Sequence, residues 1–300
     1  MPIIDAHHHL WDLETNRYPW LQQPAPAPDD VFTGDIRPIR NSYLLADFKA
    51  DIGDLPVVKS VHLQADHDDA DPVNETRWLQ AVADAPGSGG FPHAIVAYAD
   101  LADPQVDAVL AAHAGFANTR GIRQILNTHP QAKYSHAARE YMDDPQWERG
   151  YARLAAHGLS FDLQLYPHQM ARAAAILVRH PDVPAIVNHT GTPIERSEAG
   201  RAAWRQELGR LAALPHVAIK ISGLGMHDHR WTEASIRPFV LETIEMFGVA
   251  RCLFASNFPV DKLYSGYAAI WQAFDAITAG FSADERRALF HDNAARLYRI

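Results

Sequence analysis

The stretch Ile3-Ile4-Asp5-Ala6-His7-His8-His9 decides the fold, because it reads as an apolar strand that ends on three consecutive histidines. Side chains alternate along a strand, so the sequence predicts Asp5, His7 and His9 on one face and His8 on the other. Imidazoles at positions i and i+2 can both reach one metal ion. This beginning therefore predicts a functional site at the end of the first strand.

The small and apolar residues of this strand indicate which of its two faces points into the protein interior. If Ile4 and Ala6 face a layer of helices together with His8, then His7 and His9 point into the interior of a barrel. They would lie at the C-terminal end of the strand, where barrel enzymes carry their active sites.

Short β-branched runs alternate with longer Ala/Leu/Arg-rich runs along the rest of the chain, as expected for buried parallel strands with helices between them. Strands are predicted at Ile3 to His9, Lys59 to Gln64, Ala94 to Ala99, Gly121 to Leu126, Ser160 to Leu165, Ala185 to His189, Val217 to Ser222 and Cys252 to Asn257. This order favours an α/β fold, a distorted (β/α)8 TIM barrel that occupies residues 1–300 as one domain.

The end of the first strand separates this prediction from a doubly wound open sheet. The open sheet predicts a glycine-rich phosphate turn after the first strand, where this chain has histidines. The segment from Asp12 to Arg40 contains Pro19, Pro24, Pro26 and Pro28, and it is predicted to be a long irregular loop over one barrel mouth.

Helix boundaries are marked by residues that cap or stop helices. An acid before a proline predicts three helix N-termini, at Asp71-Pro72, Asp103-Pro104 and Asp144-Pro145. Gly115 and Gly158 are placed to end the second and third of these helices. Ser282 with Glu285 predicts a capping box that opens an extra C-terminal helix toward Tyr298.

Composition excludes several classes of protein. A net charge of -9 without a basic patch argues against nucleic acid as a partner, and no apolar run is long enough to predict a membrane span. The single cysteine, Cys252, and the absence of a signal-peptide pattern predict a cytoplasmic protein. Small molecules are the expected partners, and a homodimer is expected only because symmetric assemblies are common.

Polar residues end several of the predicted strands, where they would converge on one mouth. His189 and Asn257 follow apolar runs, and the other candidates are Arg123, Gln164 and Lys220, with His168 just past the fifth strand. A buried Arg123 or Lys220 would be costly without an anion. Either could bind a substrate carboxylate or stabilise an oxyanion, and either could form a structural salt bridge instead.

Four segments together resemble one known family: "IIDAHHHLW" at residues 3–11, "GIRQIL" at 121–126, "IVNHTG" at 186–191 and "LFASNFPVD" at 253–261. The pattern resembles the amidohydrolase-related family of metal-dependent TIM-barrel hydrolases, which includes sugar-acid lactonases and 2-pyrone-4,6-dicarboxylate lactonase. The resemblance implies hydrolysis of a lactone or similar ester. It implies that His7, His9 and His189 hold a divalent metal such as zinc or manganese, and that Arg123 grips substrate.

Asn257 departs from the family pattern, in which an aspartate ends the eighth strand. An amide has no proton to exchange at neutral pH, so it cannot serve as the general base. Asp261, His168 and His189 are the alternative candidates, with His168 also a hypothetical acid for the leaving alkoxide. Metal occupancy is left open by the same substitution.

The sequence therefore predicts a hydrolase that opens the lactone of a sugar acid or a related small acid. Two alternatives are a metal-dependent decarboxylase of aromatic or muconate-type acids and a barrel that binds a small acid without turning it over. Trp11, Tyr18 and Trp20 in or beside the proline-containing loop are candidates for stacking on a ring substrate, or for packing the loop onto the barrel.

Overall fold

Eight parallel strands form one sheet in the computed structural model, which describes residues 1–24 and 26–300. Each strand pairs with the next in chain order, from β1 to β8. The strands are β1 (Ile3–His8), β2 (Val57–Leu63), β3 (Ala94–Ala97), β4 (Thr119–Ile125), β5 (Ser160–Gln164), β6 (Ala185–Val187), β7 (Val217–Ile221) and β8 (Cys252–Phe254). The eight predicted strands are confirmed, with ends that differ by up to three residues.

The sheet closes on itself at the C-terminal end of β1. His8 forms a parallel bridge with Phe258, and the Phe258 carbonyl accepts from the His9 backbone N–H at 2.7 Å. The His7 carbonyl accepts from the Asn257 backbone N–H at 2.8 Å. The predicted (β/α)8 barrel is confirmed, and closure brings the histidines of β1 beside the residues that follow β8.

Helices lie between the strands and after the last one. They are α1 (Pro19–Gln22), α2 (Leu45–Ile52), α3 (Asn74–Asp84), α4 (Val106–Ala114), α5 (Pro145–Arg153), α6 (Met170–Leu177), α7 (Glu198–Ala212), α8 (Glu233–Phe247), α9 (Tyr267–Ile277), α10 (Ala283–Arg287) and α11 (Asn293–Tyr298). No helix in the described ranges has the length and apolar character needed to span a membrane.

The predicted helix caps are partly confirmed. Asp144 caps α5 by accepting from the Gln146 N–H, and Ser282 forms a capping box with Glu285 at α10. The predictions at Asp71 and Asp103 were wrong. Each aspartate does accept from the backbone N–H two residues later, as Asp144 does, but a turn follows, so that α3 and α4 begin two residues after the predicted positions.

A β-bulge in β1 overturns the predicted alternation of its side chains. Asp5 pairs with Ser60 and His8 with His62, so three steps on β1 match two on β2. Ile4 and Ala6 therefore pack inside the barrel, in a small apolar cluster with residues of β2, β3, β6, β7, β8 and α11. Asp5 points outward. A bulge re-aims side chains next to a functional site, and here it lets His7 follow Ala6 into the interior.

The long segment between β1 and α2 crosses the barrel mouth, as predicted, but it is not wholly irregular. It contains α1 and short 3-10 turns at Pro28–Asp30 and Arg37–Ile39. The Tyr264 hydroxyl donates to the Thr33 carbonyl at 2.8 Å, and an imidazole nitrogen of His229 hydrogen-bonds the Phe32 carbonyl at 3.0 Å. These bonds tie the segment, hereafter the cover loop (residues 12–24 and 26–40), to the far rim.

Candidate functional site

A cavity of about 470 Å³ lies at the C-terminal mouth of the barrel, between the strand ends and the cover loop. Its polar lining consists of His9, Asp66, Arg123, His136, Gln164, His189 and Asn257, with Gln23 and Thr33 from the cover loop. Its apolar walls include Trp11, Trp20, Phe32, Ile36, Met226 and Val260. The predicted candidates His9, Arg123, Gln164, His189, Asn257, Trp11 and Trp20 are thus brought together.

His7 and His9 contact each other through their ring nitrogens. Their Nε2 atoms lie 3.2 Å apart, and His9 Nδ1 lies 2.8 Å from the Leu63 carbonyl. A carbonyl only accepts, so His9 Nδ1 carries a hydrogen and its Nε2 carries a lone pair. His7 Nε2–H then donates to His9, and His7 Nδ1 is left without a partner. Burial holds the pKa of both rings well below the usual value, so both are neutral.

His189 lies in a tight turn after β6. His189, Thr190 and Thr192 all have φ between 52° and 57°, and this left-handed backbone carries the imidazole to the cavity wall. Its Nδ1 is 3.1 Å from the Ser222 hydroxyl. A Cβ on Gly223 would lie 2.6 Å from that nitrogen, so only glycine fits there. Burial, with Arg123 nearby, lowers the pKa of His189 well below its usual value.

Arg123 is held at the cavity wall by neutral oxygens. Its Nη1 donates to Gln164 Oε1 at 2.9 Å, and its Nη2 donates to the Gln64 carbonyl. Its Nε–H has no protein partner, although only 4% of the residue is exposed. Arginine stays charged in proteins, so Arg123 brings a positive charge to the cavity wall.

Asn257 follows β8 in a left-handed conformation, with φ 58°. Its Nδ2 donates to Asp261 Oδ2 at 2.5 Å. Asp261 is buried behind Asn257 and is not part of the cavity wall, so its position does not support the predicted direct role as the base. Burial raises the pKa of Asp261 to about 7.

Four other candidates lie outside the cavity wall, and one of them is His7, which is fully buried behind it. Lys220 is fully buried and pairs with Asp162 at 2.5 Å, which is the salt-bridge alternative that the sequence left open. His168 is exposed at the start of α6, near His129, because the strand before it ends four residues earlier. The Tyr18 hydroxyl donates to Glu75 at 3.1 Å, which fixes the cover loop to α3.

Sequence reasoning missed Asp66, Phe32 and His136. Asp66 follows Gln64 at the end of β2, and its φ of 53° turns it toward the mouth. The strand-end rule that found Arg123 and Gln164 could have reached Asp66, which lies two residues beyond the predicted end of the second strand. Phe32 and His136 belong to loops, and their rings meet with centroids 4.8 Å apart. No periodic pattern predicts such a contact.

The divalent metal that the resemblance implies requires a particular number and spacing of donor atoms. The 3.2 Å between the two Nε2 atoms is close to the roughly 3.4 Å between two nitrogens on one tetrahedral zinc ion. The Nδ1–H of His9, bonded to a carbonyl, also suits a ligand. His189 also packs against His7, with ring centroids 4.5 Å apart, but a catalytic zinc site needs three protein ligands, and residues 1–24 and 26–300 hold no group of three His, Cys, Asp or Glu side chains arranged to bind one metal ion. The donors do not complete a catalytic metal site.

Comparisons with known proteins agree with this fold. A family model described as amidohydrolase matches residues 4–300. An uncharacterized protein of Sinorhizobium fredii, y4mH, is 49% identical over 99% of this chain and 98% of that protein. The L-fucono-1,5-lactonase of Burkholderia ambifaria is 30% identical over 99% of this chain and 95% of that protein.

A solved structure has the same fold. A zinc-bound amidohydrolase from Burkholderia multivorans superposes with a TM-score of 0.82 at 25% identity, with complete coverage of both chains. The resemblance found in the four sequence segments is confirmed over nearly the whole chain. The chain belongs to the amidohydrolase family of hydrolases.

Proposed function

We propose that this protein hydrolyses the lactone of a sugar acid by attack of water in the cavity at the barrel mouth. The observation that carries the proposal is the convergence of a neutral imidazole, an arginine donor and two indole rings on one enclosed space, at His189, Arg123, Trp11 and Trp20. The similarity to an L-fucono-1,5-lactonase over nearly the full length supports a cyclic ester as substrate.

His189 is the base that activates water in this proposal. Its Nδ1 faces the Ser222 hydroxyl, which leaves Nε2 as the nitrogen available to the cavity. With Nδ1–H donated to Ser222, Nε2 carries the lone pair and can take a proton from water. The lowered pKa keeps the ring unprotonated at neutral pH, as a base requires.

Arg123 stabilises the charge that develops on the carbonyl oxygen. The carbonyl becomes an oxyanion when water adds, and a buried cation with a free N–H stabilises that oxyanion more strongly than the ground state. Gln64 and Gln164 hold the guanidinium by one N–H of each terminal nitrogen, and each of these nitrogens has a second N–H that can serve the substrate.

The proton taken by His189 completes the reaction. The tetrahedral intermediate collapses by breaking its bond to the ring oxygen, and the protonated imidazole gives its proton to that leaving alkoxide. The product is an open hydroxy acid, which loses one proton to solvent at neutral pH. His189 replaces His168 as the acid in this scheme, because His168 lies outside the cavity wall.

The cavity suits a neutral polyhydroxy ring. Trp20 bonds the Ala65 carbonyl through its indole N–H, so its half-buried ring is available for packing against a sugar ring. Trp11 is fully buried and packs against Trp20, which supports that ring from behind. Asp66 adds a carboxylate that can accept hydrogen bonds from hydroxyls, and its charge opposes the binding of a second substrate carboxylate beside Arg123.

The proposal is tested with the purified protein on a panel of aldono-1,4- and 1,5-lactones, using a pH indicator for proton release and NMR for the ring-opened product. We expect ring opening well above the spontaneous rate, with the His189→Asn variant as the matched control for contaminating esterase. Rates equal to the spontaneous rate across the panel would contradict the proposal. Carbon dioxide release from aromatic acids would favour the decarboxylase alternative.

A further inference from the structure

Asn257 and Asp261 form a buried pair in the turn after β8. Asn257 is 1% exposed and Asp261 2% exposed. Asn257 Nδ2 donates to Asp261 Oδ2 at 2.5 Å and lies 3.4 Å from the Met226 sulfur. Asp261 Oδ2 is the acceptor in this bond, so the nitrogen of the amide is the atom that faces Asp261. Both N–H groups are then directed at the protein, and the carbonyl Oδ1 is left for the cavity.

The surroundings of Asp261 fix it in this position. Its Oδ1 lies beside Gly225, where a Cβ would come within 2.5 Å of that oxygen. The backbone of Gly225 favours the charged form of the carboxylate and so opposes the burial that raises the pKa of Asp261. The backbone carbonyl of Asn257 also accepts from the Asp261 backbone N–H at 3.1 Å, and this bond closes the turn. Asp261 thus has an acceptor for Gly225 and another for Asn257, and an amide could supply only one.

We propose that Asp261 is a positioning residue that holds the Asn257 amide with its carbonyl oxygen toward the substrate. The site then presents a neutral acceptor for an O–H group, on the attacking water or on a ring hydroxyl. This inference rests on the proposed lactone hydrolysis. Asn257 orients the O–H group and takes no proton, while the proton of the attacking water passes to His189.

The decisive variants are Asp261→Asn and the reciprocal double variant Asn257→Asp/Asp261→Asn. In the single variant an amide at position 261 cannot accept from both neighbours, so Asn257 loses its fixed orientation. We expect a loss of at least tenfold in kcat/KM. In the double variant the amide at position 261 donates to the carboxylate at position 257, whose other oxygen faces the cavity again. We expect the double variant to recover most of the loss.

Two controls separate positioning from simple destabilisation. Asp107→Asn changes an exposed carboxylate on α4 that pairs with Arg153, and it should leave turnover unchanged. Assays contain a chelator, so that a new carboxylate does not act through a stray metal ion. If Asp261→Asn lowers kcat, the O–H group bound by Asn257 belongs to the attacking water. If it raises KM instead, that group belongs to a substrate hydroxyl. Unchanged turnover in Asp261→Asn, or a double variant no better than the single one, would overturn the proposal.

A measurement that does not depend on turnover distinguishes this inference from the proposed function. The side-chain NH2 signal of Asn257 in a 15N-labelled protein is identified by its absence in Asn257→Asp. We expect slow hydrogen exchange of this signal in the wild type and fast exchange in Asp261→Asn. If no lactone is opened but the signal behaves as expected, only the proposed reaction fails. If exchange is the same in both proteins, the positioning role is wrong.

Discussion

Lys220 and Asp162 form a 2.5 Å ion pair inside the barrel, and neither side chain is exposed to solvent. Asp162 also accepts from the Tyr298 hydroxyl at 3.0 Å and from Asn188 Nδ2 at 2.8 Å. Tyr298 comes from α11, so the C-terminal helix reaches into the barrel from below the site. This layer of polar groups supports the floor beneath the histidines, and Lys220 is structural in this position.

The buried pair makes a stability prediction. Lys220→Met should lower the free energy of unfolding by about 3 to 5 kcal/mol, because it leaves the Asp162 charge buried without its cation. Lys220→Met/Asp162→Asn should cost much less than the sum of the two single variants. Urea unfolding followed by circular dichroism measures all three. Additive losses would show that the two side chains are not energetically coupled.

His189 should be the most sensitive imidazole in the cavity. His189→Asn is expected to lower kcat/KM at least tenfold, because the base that takes the water proton is removed. His168→Ala serves as the matched control, since His168 is exposed and lies outside the cavity wall. Steady-state assays on the best lactone give both values. Equal losses in the two variants would place the base elsewhere.

The donor set predicts weak zinc binding in the wild type. His7 and His9 supply two nitrogens at zinc-ligand spacing, and His189 packs against His7, but the three do not form a group arranged to bind one metal ion in the described ranges. Asn257→Asp adds a charged oxygen at the mouth and should raise zinc affinity at least tenfold, with Asn257→Ser as the control. Equilibrium dialysis at fixed pH measures the dissociation constants. Tight binding by the wild type, unaffected by either change, would mean that the ligands have been misassigned.

The strand order was predictable because buried parallel strands have a strong local signal, and all eight appear where the apolar runs predict them. Which side chains of β1 point into the barrel was not predictable, because the bulge between Asp5 and His8 depends on pairing with β2. Strand-end polarity identified Arg123, His189 and Asn257 as cavity residues. It could not tell a cavity-facing charge from a buried pair, and so it grouped Lys220 with Arg123. That distinction depends on Asp162, which lies 58 residues away in the chain.

His113 lies away from the candidate site and is expected to make the stability of the fold depend on pH. Its ring is fully buried, with Nε2 2.9 Å from the Tyr98 carbonyl and Nδ1 3.0 Å from the Thr76 hydroxyl. Burial lowers the pKa of His113 from 6.5 to about 4. Between these two pH values the unfolded chain binds the proton and the folded chain does not. The contribution of His113 therefore falls as pH drops below 6.5, by roughly 3 kcal/mol at most.

The matched variant is His113→Gln, whose amide can keep the bond to the Tyr98 carbonyl but does not titrate. Urea unfolding at pH 7.5 and pH 5 should show a smaller loss of stability on acidification in the variant than in the wild type. The other buried histidines titrate in both proteins, so their effect cancels in the difference. An identical pH dependence in the two proteins would mean that His113 has the same pKa in the folded and unfolded chains, and that its burial carries no pH-dependent cost.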